Sequence, residues 1–300
     1  MSEKGDRSTP NAVRVRCEHG FVDALNTVRP DVAFNKAGYV LDPQHNLLFG
    51  IDLDEFRPSF ETGAGQELGI FRDGVAIPGK FCAAYSSSAL AVNHFAPFRR
   101  RELPALGRHR SLRLEGFEVK FPTGLRGTPP HLDVLVFSTE TRVAIESKCL
   151  EYIRAKSITA LEKTAARLRD KYLTGITGDR RNSPWFAELK ELADDPCRYR
   201  YLDAAQLIKH ALGLLHDPGD RPTVLLYLYW EPLDAGHELI FADHRNEIAS
   251  FASRVADKCL RFEAMSYPEL WDQWRDCGNR FLDEHVNALR QRYAFAASTV

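Results

Sequence analysis

Two acidic residues and a lysine lie close together in the middle of the chain, inside segments that are otherwise apolar. Asp133 lies in HLDVLVFS (131–138), and Glu146 and Lys148 lie in RVAIESK (142–148). Carboxylate oxygens are the ligands that Mg²⁺ and Mn²⁺ prefer in proteins. An ammonium group beside them can orient a water and stabilise the negative charge that develops on a phosphate under attack. The three side chains therefore predict a metal-dependent site for phosphodiester hydrolysis.

The two segments are predicted to pair as neighbouring antiparallel strands, because only a few turn residues separate them. A hairpin centred on residues 139–140 places Asp133 directly opposite Glu146. Lys148, two positions after Glu146, shares that face of the sheet. Two carboxylates about 5 Å apart would destabilise an ordinary hairpin. A Mg²⁺ or Mn²⁺ ion removes the conflict, and we expect the backbone carbonyl of Ser147 to supply a further ligand.

The bland alternative is that these charges are solvated on an exposed strand face. An aspartate followed about a dozen residues later by Glu-x-Lys is a loose pattern that occurs by chance in many proteins. The apolar neighbours Leu132 and Val134 on one strand, and Val143, Ala144 and Ile145 on the other, favour the functional interpretation.

The elements around this hairpin predict an α/β fold. A serine-capped helix within 86–98 is followed by strands at 112–121, 131–138 and 142–148, then by helices at 155–173 and 202–216, and then by an apolar strand at 223–230 that we place at the centre of the sheet. Two later helices are predicted, one around Ile248, Phe251, Val255, Cys259 and Phe262, and one around Leu282, Val286, Leu289 and Tyr293.

The N-terminal part is the hardest to interpret. Residues 1 to about 18 are expected to be loosely ordered, and turn signals between Phe21 and Lys80 indicate short elements wrapped on the main body. We therefore divide the chain into an N-terminal arm with accessory elements (1–60) and a main domain (61–300).

The composition excludes several classes of protein. The polar N-terminus does not resemble a signal peptide, and no segment approaches the roughly 18 apolar residues of a membrane span, so a cytoplasmic location without membrane contact is expected. Six scattered cysteines show no zinc-binding spacing, and we interpret them as buried thiols.

A formal net charge of −1 means that any nucleic-acid contact must come from a local patch. One basic segment (99–113) is visible, and we expect it to contact phosphates without reading sequence. The alternative interpretation of this segment is an exposed, solvated loop without a binding role. The predicted nucleic-acid-binding residues are Arg99, Arg100, Arg101, Arg108 and Arg110, with Arg113 at the end of the segment.

At these residues the chain resembles the PD-(D/E)XK, or restriction-endonuclease-like, nuclease superfamily. PPHLD (129–133) corresponds to the PD half of its motif, with the proline displaced from the aspartate, and ESK (146–148) corresponds to the other half. The stretches SSSALAVNHFAPF, LDVLVF, ESKCLE, YLDAAQLIKHALGL and LLYLYW are similar to one bacterial restriction-endonuclease-like branch, over about residues 61–274. The resemblance implies a core of helix, three-strand meander, helix and strand, with extra N- and C-terminal helices, and Mg²⁺-dependent DNA cleavage.

The resemblance also implies further site residues. An upstream helix of such folds often adds an acid, for which Glu67 is the first candidate and Glu118 the second. Gln206, on the helix after the third strand, is expected near the metal, accompanied by Lys209 and His210. For Glu67 and Glu118 the alternative is a surface carboxylate without a role in the site, and for Gln206 it is a structural role. Surface or cap roles are expected for His210 and His216.

The leading hypothesis is therefore a DNA endonuclease of a restriction, defence or repair type. A catalytically silent nucleic-acid-binding or interaction module on the same fold is the alternative from another class, and an RNA nuclease is a third possibility. Double-strand cutting would favour a homodimer that presents two sites.

Overall fold

A five-stranded mixed sheet forms the centre of the computed structural model, which describes residues 9–61, 67–72, 75–154, 156–275 and 278–297. Its strands, in spatial and chain order, are β3 (Arg113–Lys120), β4 (His131–Phe137), β5 (Arg142–Lys148), β6 (Thr223–Tyr229) and β7 (Leu260–Ser266), and a separate hairpin is formed by β1 (Gly69–Arg72) and β2 (Val75–Pro78). The first three strands of the sheet are antiparallel, and the last three are parallel.

Helices cover the sheet on both faces. Within the described residues they are α1 (Pro10–Val28), α2 (Arg57–Glu61), α3 (Ser87–Phe95), α4 (Ile158–Arg167), α5 (Pro184–Asp194), α6 (Ala204–His216), α7 (Leu239–Arg254), α8 (Tyr267–Trp274) and α9 (Arg280–Tyr293), and a π-helical turn (Leu168–Leu173) extends α4. The arrangement is the predicted α/β fold and is compatible with a restriction-endonuclease-like core.

Neighbouring residues of β5 show which helices cover each face. The hydroxyl of Ser147 lies 2.7 Å from Tyr267 Oη at the start of α8, and it donates to the carbonyl of Ser87 in α3. The side chain of Glu146 lies against His210 of α6. Because successive side chains of a strand point to opposite faces, α3 and α8 cover one face at this point and α6 covers the other.

Several local predictions are confirmed. Ser86 caps α3 through a hydrogen bond from the Ala89 amide, and a 3-10 turn that contains Pro97 follows the helix. The three-strand meander and α6 lie where the sequence patterns placed them. The helix predicted at 155–173 corresponds to α4 and its π-helical turn, although its first residue lies outside the described part.

The N-terminal prediction was wrong for residues 10–18. They form the first half of α1, which buries Val13, Cys17, Phe21 and Leu25. These residues recur every four positions, which is the spacing of one helix face, and Thr9 caps the helix with Pro10 in its first turn. Residues 1–8 lie outside the described part.

The C-terminal half departs from the prediction in two ways. Cys259 and Phe262 do not continue a helix: α7 ends at Arg254, and 260–266 form β7. The apolar strand 223–230 is therefore β6, the fourth of five strands, and β5 is the middle one. All seven residues of β6 are buried, since strands flank it and helices cover both faces.

Two smaller features were also not predicted correctly. Helix α5 was missed, although Ser183 as its cap and Pro184 at its first position are typical of a helix start. Cys17, Cys82 and Cys149 are buried thiols as expected, whereas Cys197 and Cys259 are exposed; Cys277 lies outside the described residues. Among the helices of the described part, none is long and apolar enough to cross a membrane.

Candidate active site

Three carboxylic acids lie side by side on neighbouring strands. The observed register of β4 and β5 pairs Val134 with Ile145, as the hairpin centred on residues 139–140 predicts, so the next position places Asp133 opposite Glu146. In the register of β3 and β4, the pairs on either side of Glu118 place it opposite Asp133. The order across the sheet is therefore Glu118, Asp133, Glu146.

Asp133 is the middle acid of this row. Its Oδ2 accepts a hydrogen bond of 2.6 Å from the backbone N–H of Ser147 on β5. Burial raises the pKa of Asp133 well above its ordinary value, and the neighbouring carboxylates of Glu146 and Glu118 raise it further. The folded protein therefore disfavours ionisation of Asp133 beside the neighbouring carboxylates.

Glu146 is the acid of the row that loses its proton most readily. Its Oε1 lies 2.5 Å from Lys148 Nζ. His210 Nε2 lies 2.9 Å from its Oε2, although neither of these two atoms has a partner in hydrogen-bond geometry. Burial alone would raise the pKa of Glu146, but Lys148 and His210 lower it to about 2. Glu146 is therefore a carboxylate at neutral pH.

Lys148 shares the face of Glu146, as predicted from its position two residues further along the strand. Burial alone would lower its pKa, but the carboxylates of Glu146, Glu151 and Asp133 raise it well above the ordinary value. Lys148 is therefore an ammonium cation at neutral pH. This charge state suits it to stabilise negative charge and does not suit it to act as a base.

Glu118 has an unusual backbone. Its φ of 53° lies in the left-handed region, which costs a residue with a side chain about 1 kcal/mol or more. Its Oε2 lies 3.5 Å from His131 Nδ1. Burial and the carboxylates of Glu67 and Glu146 raise the pKa of Glu118 to about 7. The fold thus holds a strained residue and an easily protonated acid at one point, a combination found at functional sites.

Glu67 reaches the same cavity from another direction. The expected upstream helix does not carry it: Glu67 lies in a turn just before β1. Its carboxylate lies 3.7 Å from Lys80 Nζ and accepts a hydrogen bond of 3.5 Å from Ser88 Oγ. Burial raises its pKa, and Lys80 opposes that effect. Its catalytic role stays a prediction.

Helix α6 presents one polar face to the site through Gln206, Lys209 and His210, all of which line the cavity. The surface or cap role expected for His210 was wrong, because its side chain is only 2% exposed and lies against Glu146. Its spacing of four from Gln206 places both on one helix face, a signal that could have identified it. His216, at the end of α6, lies instead beside Gly124.

The row of acids opens into a cavity of about 590 Å³. Its lining includes the predicted site residues and their polar neighbours, among them Glu67, Glu118, His131, Asp133, Glu146, Lys148, Gln206, Lys209 and His210. It lies at the end of the sheet formed by the C-terminal ends of β3 and β5 and the N-terminal end of β4. One cavity thus collects the predicted catalytic side chains from three strands, a turn and a helix.

The donor set fits a hard divalent cation. Within the described residues, no three His, Cys, Asp or Glu side chains converge at ligand geometry. Mg²⁺ needs only one or two protein carboxylates, because waters and phosphate oxygens complete its shell. Asp133, whose ionisation is opposed by its neighbours, and Glu146, with one oxygen lacking a hydrogen bond, are such a pair. The ligand role predicted for the Ser147 carbonyl stays a prediction.

The arginines of the basic segment do not line this cavity. Arg99 and Arg100 both contact Glu55, Arg101 stacks on the ring of Phe281 at 3.9 Å, and Arg108 lies 2.6 Å from a carboxylate oxygen of Glu263. The segment ends at Arg113, the first residue of β3. Glu118 lies five residues further along this strand, which at about 3.3 Å per residue is a distance of about 16 Å. Arg110 and Arg113 are exposed. Contacts of this segment with nucleic acid stay a prediction. Because the segment lies away from the acids, such contacts would involve a part of the substrate distant from the cleavage point.

Comparison with known proteins gives one family. A family model described as "Restriction Endonuclease associating with ARP" matches residues 59–294. No curated protein and no solved structure matches the chain.

Proposed function

Because the chain belongs to this restriction endonuclease family, we propose that it is a Mg²⁺-dependent nuclease that cleaves DNA. The observation that carries the proposal is the register of β3, β4 and β5, which brings Glu118, Asp133 and Glu146 together beside an ammonium group. Such a row is unfavourable in a purely structural sheet, and it suits binding of a cation and a phosphodiester.

Asp133 and Glu146 would hold the ion, which when bound would lower the pKa of a water and neutralise charge on the phosphate. Lys148 donates to the developing negative charge and orients the water, since it stays protonated at neutral pH. The Ser147 amide holds the carboxylate of Asp133 in place. Gln206 and Glu67 are further candidates for contacts with the water or the phosphate, since both line the cavity.

The test compares the full chain with Asp133→Ala and Lys148→Ala on plasmid DNA and structured RNA, with Mg²⁺, Mn²⁺ or EDTA. We expect metal-dependent cutting of DNA that falls at least about a hundredfold in Lys148→Ala, in line with removal of one donor to a developing charge. Asp133→Ala should also lose Mn²⁺ binding in calorimetry. Matched controls are Asp243→Ala on α7 and Lys163→Ala on α4, two exposed residues outside the cavity.

The outcomes separate the competing functions. Cutting of RNA but not DNA would replace the substrate while leaving the site in place. Intact substrates with wild type in every metal would leave a binding or interaction module as the better explanation. Equal cutting by wild type and both site variants would show that the activity does not arise from these residues.

A further inference from the structure

Two residues from the N-terminal segment line the catalytic cavity. Arg14 of α1 and Tyr39 belong to its wall, yet the family match begins only at residue 59. Tyr85, just before the cap of α3, lines the same wall. This part of the cavity is therefore built jointly by the family domain and by a segment that precedes it.

The two tyrosines form an aromatic surface. Their ring centroids are 6.3 Å apart with an interplanar angle of 86°, and each side chain is only partly buried. Aromatic residues of the hydrophobic core, such as Phe21 and Phe81, are fully buried instead. An edge-to-face pair that is open to a polar cavity leaves apolar ring surface for a planar ligand.

The backbone holds this surface in place. Tyr39 forms an antiparallel bridge with Ala83, the Val40 amide donates to the Cys82 carbonyl, and the Ala84 amide donates to the Gly38 carbonyl. Tyr39 and Tyr85 are thereby fixed on adjacent stretches of chain. A rigid arrangement loses little conformational freedom when a ligand binds.

The charges around the cavity are mixed. Acidic side chains that would repel a phosphate backbone and basic side chains that would attract it both line the cavity: Glu67, Glu118, Asp133, Glu146 and Glu151 on one side of the balance, and Arg14, Lys80, Lys148 and Lys209 on the other. Stacking of a base on an aromatic ring is independent of this balance. Arg14, whose Nε lies 2.6 Å from Glu18, brings a cation to the same wall.

We propose that Tyr39 and Tyr85 form a stacking subsite for an unpaired base, with Arg14 beside its phosphate, so that the strand presented for cleavage is single-stranded or locally unpaired. The inference rests on the proposed nuclease function and specifies its substrate class. In an intact duplex both faces of each base are covered by neighbouring base pairs, and only base edges are accessible in the grooves. A stacking wall beside the acids therefore has a partner only where a base has left the stack.

The test measures binding separately from cleavage. A single strand with a fluorescent purine analogue, and the same strand in a duplex, are titrated with the full chain in Ca²⁺ and in EDTA. We expect tighter binding of the single strand and fluorescence quenching by stacking. Tyr39→Ala and Tyr85→Ala should each weaken that binding about tenfold or more, whereas Tyr39→Phe and Tyr85→Phe should retain it. Phe49→Ala is the matched control, because Phe49 is 99% exposed and lies outside this cavity.

Cleavage assays with Mg²⁺ then distinguish the two proposals. If wild type cuts DNA but prefers the duplex, or if the alanine variants bind and cut the single strand as wild type does, the stacking subsite is refuted and the nuclease stands. If wild type neither binds nor cuts any DNA, the proposed function fails and the subsite with it. Preference for unpaired DNA that is lost in the alanine variants and kept in the phenylalanine variants supports both.

Discussion

The row of carboxyl groups has an energetic cost that the folded protein carries before any cation binds. Burial and neighbouring carboxylates raise the pKa of Glu118 to about 7 and that of Asp133 well above its ordinary value. A carboxyl group with a raised pKa binds its proton more tightly in the folded state than in the unfolded state. Its contribution to stability is therefore full below the unfolded pKa, and it is lost as pH rises through the folded pKa. For Glu118 this window runs from about pH 4.5 to about pH 7.

Glu118→Gln should therefore stabilise the metal-free protein at alkaline pH. We expect the free energy of unfolding at pH 8 to rise by about 1–3 kcal/mol, because the amide keeps the size of the side chain and removes the buried charge. At pH 4.5 the gain should be much smaller, since the group is largely protonated in the folded protein. Urea unfolding in EDTA at both pH values measures the difference. Glu115→Gln, exposed on the same strand, should change neither value, and an equal gain at both pH values would refute the electrostatic cause.

At the scale of elements, local signals predicted those parts whose geometry is set by nearby residues. The hairpin register follows from the short loop and the alternation of side chains, so the pairing of Asp133 with Glu146 could be predicted. Strand β7 could not, because its place beside β6 depends on distant pairing and Phe262 happens to continue the helical spacing of α7. The spacing of four from Gln206 could have placed His210 on the helix face that meets the site, but its contact with Glu146 could not be predicted, because it joins residues far apart in the chain.

The position of α6 depends on a glycine. A Cβ at Gly213 would lie 2.5 Å from the backbone carbonyl oxygen of Phe121, just after β3. An added methyl group would therefore force α6 or the backbone at Phe121 to shift. The close contact at Gly213 thus fixes how α6 lies over the sheet and where His210 meets Glu146.

Gly213→Ala should therefore destabilise the protein, although alanine is the better helix former by about 1 kcal/mol. We expect a net loss of about 1–3 kcal/mol in the free energy of unfolding, as for overpacking elsewhere, together with slower DNA cleavage. Chemical unfolding and the plasmid assay measure the two effects. The control is Gly236→Ala, because no atom lies within 4 Å of the added methyl group there. A gain in stability for Gly213→Ala would show that α6 adjusts without cost.

At the scale of the whole molecule, the N-terminal segment is packed into the domain that the family model describes. The ring of Phe21 lies 4.5 Å from that of Trp230, centroid to centroid. Arg292, buried near the end of α9, donates to the carbonyl of Phe21, to Asn46 Oδ1 and to the carbonyl of Ala84. A buried guanidinium that loses such acceptors leaves an uncompensated charge. The division at residue 60 predicted from sequence stays untested as a domain boundary, and these contacts argue that the two parts fold together.

A fragment of residues 59–300 should therefore not fold cooperatively by itself, because removal of the preceding residues exposes the ring of Trp230 and leaves Arg292 without two of its acceptors, the Phe21 carbonyl and Asn46 Oδ1. We expect the full chain to unfold in one transition and the fragment to show weak near-ultraviolet circular dichroism and no sharp transition. Phe21→Ala gives a graded version in the full chain, with an expected loss of about 3–5 kcal/mol in the free energy of unfolding. Val15→Ala, at an exposed position of α1, should change it by less than about 0.5 kcal/mol. A fragment that unfolds as sharply as the full chain would instead make the N-terminal segment an accessory to substrate binding alone.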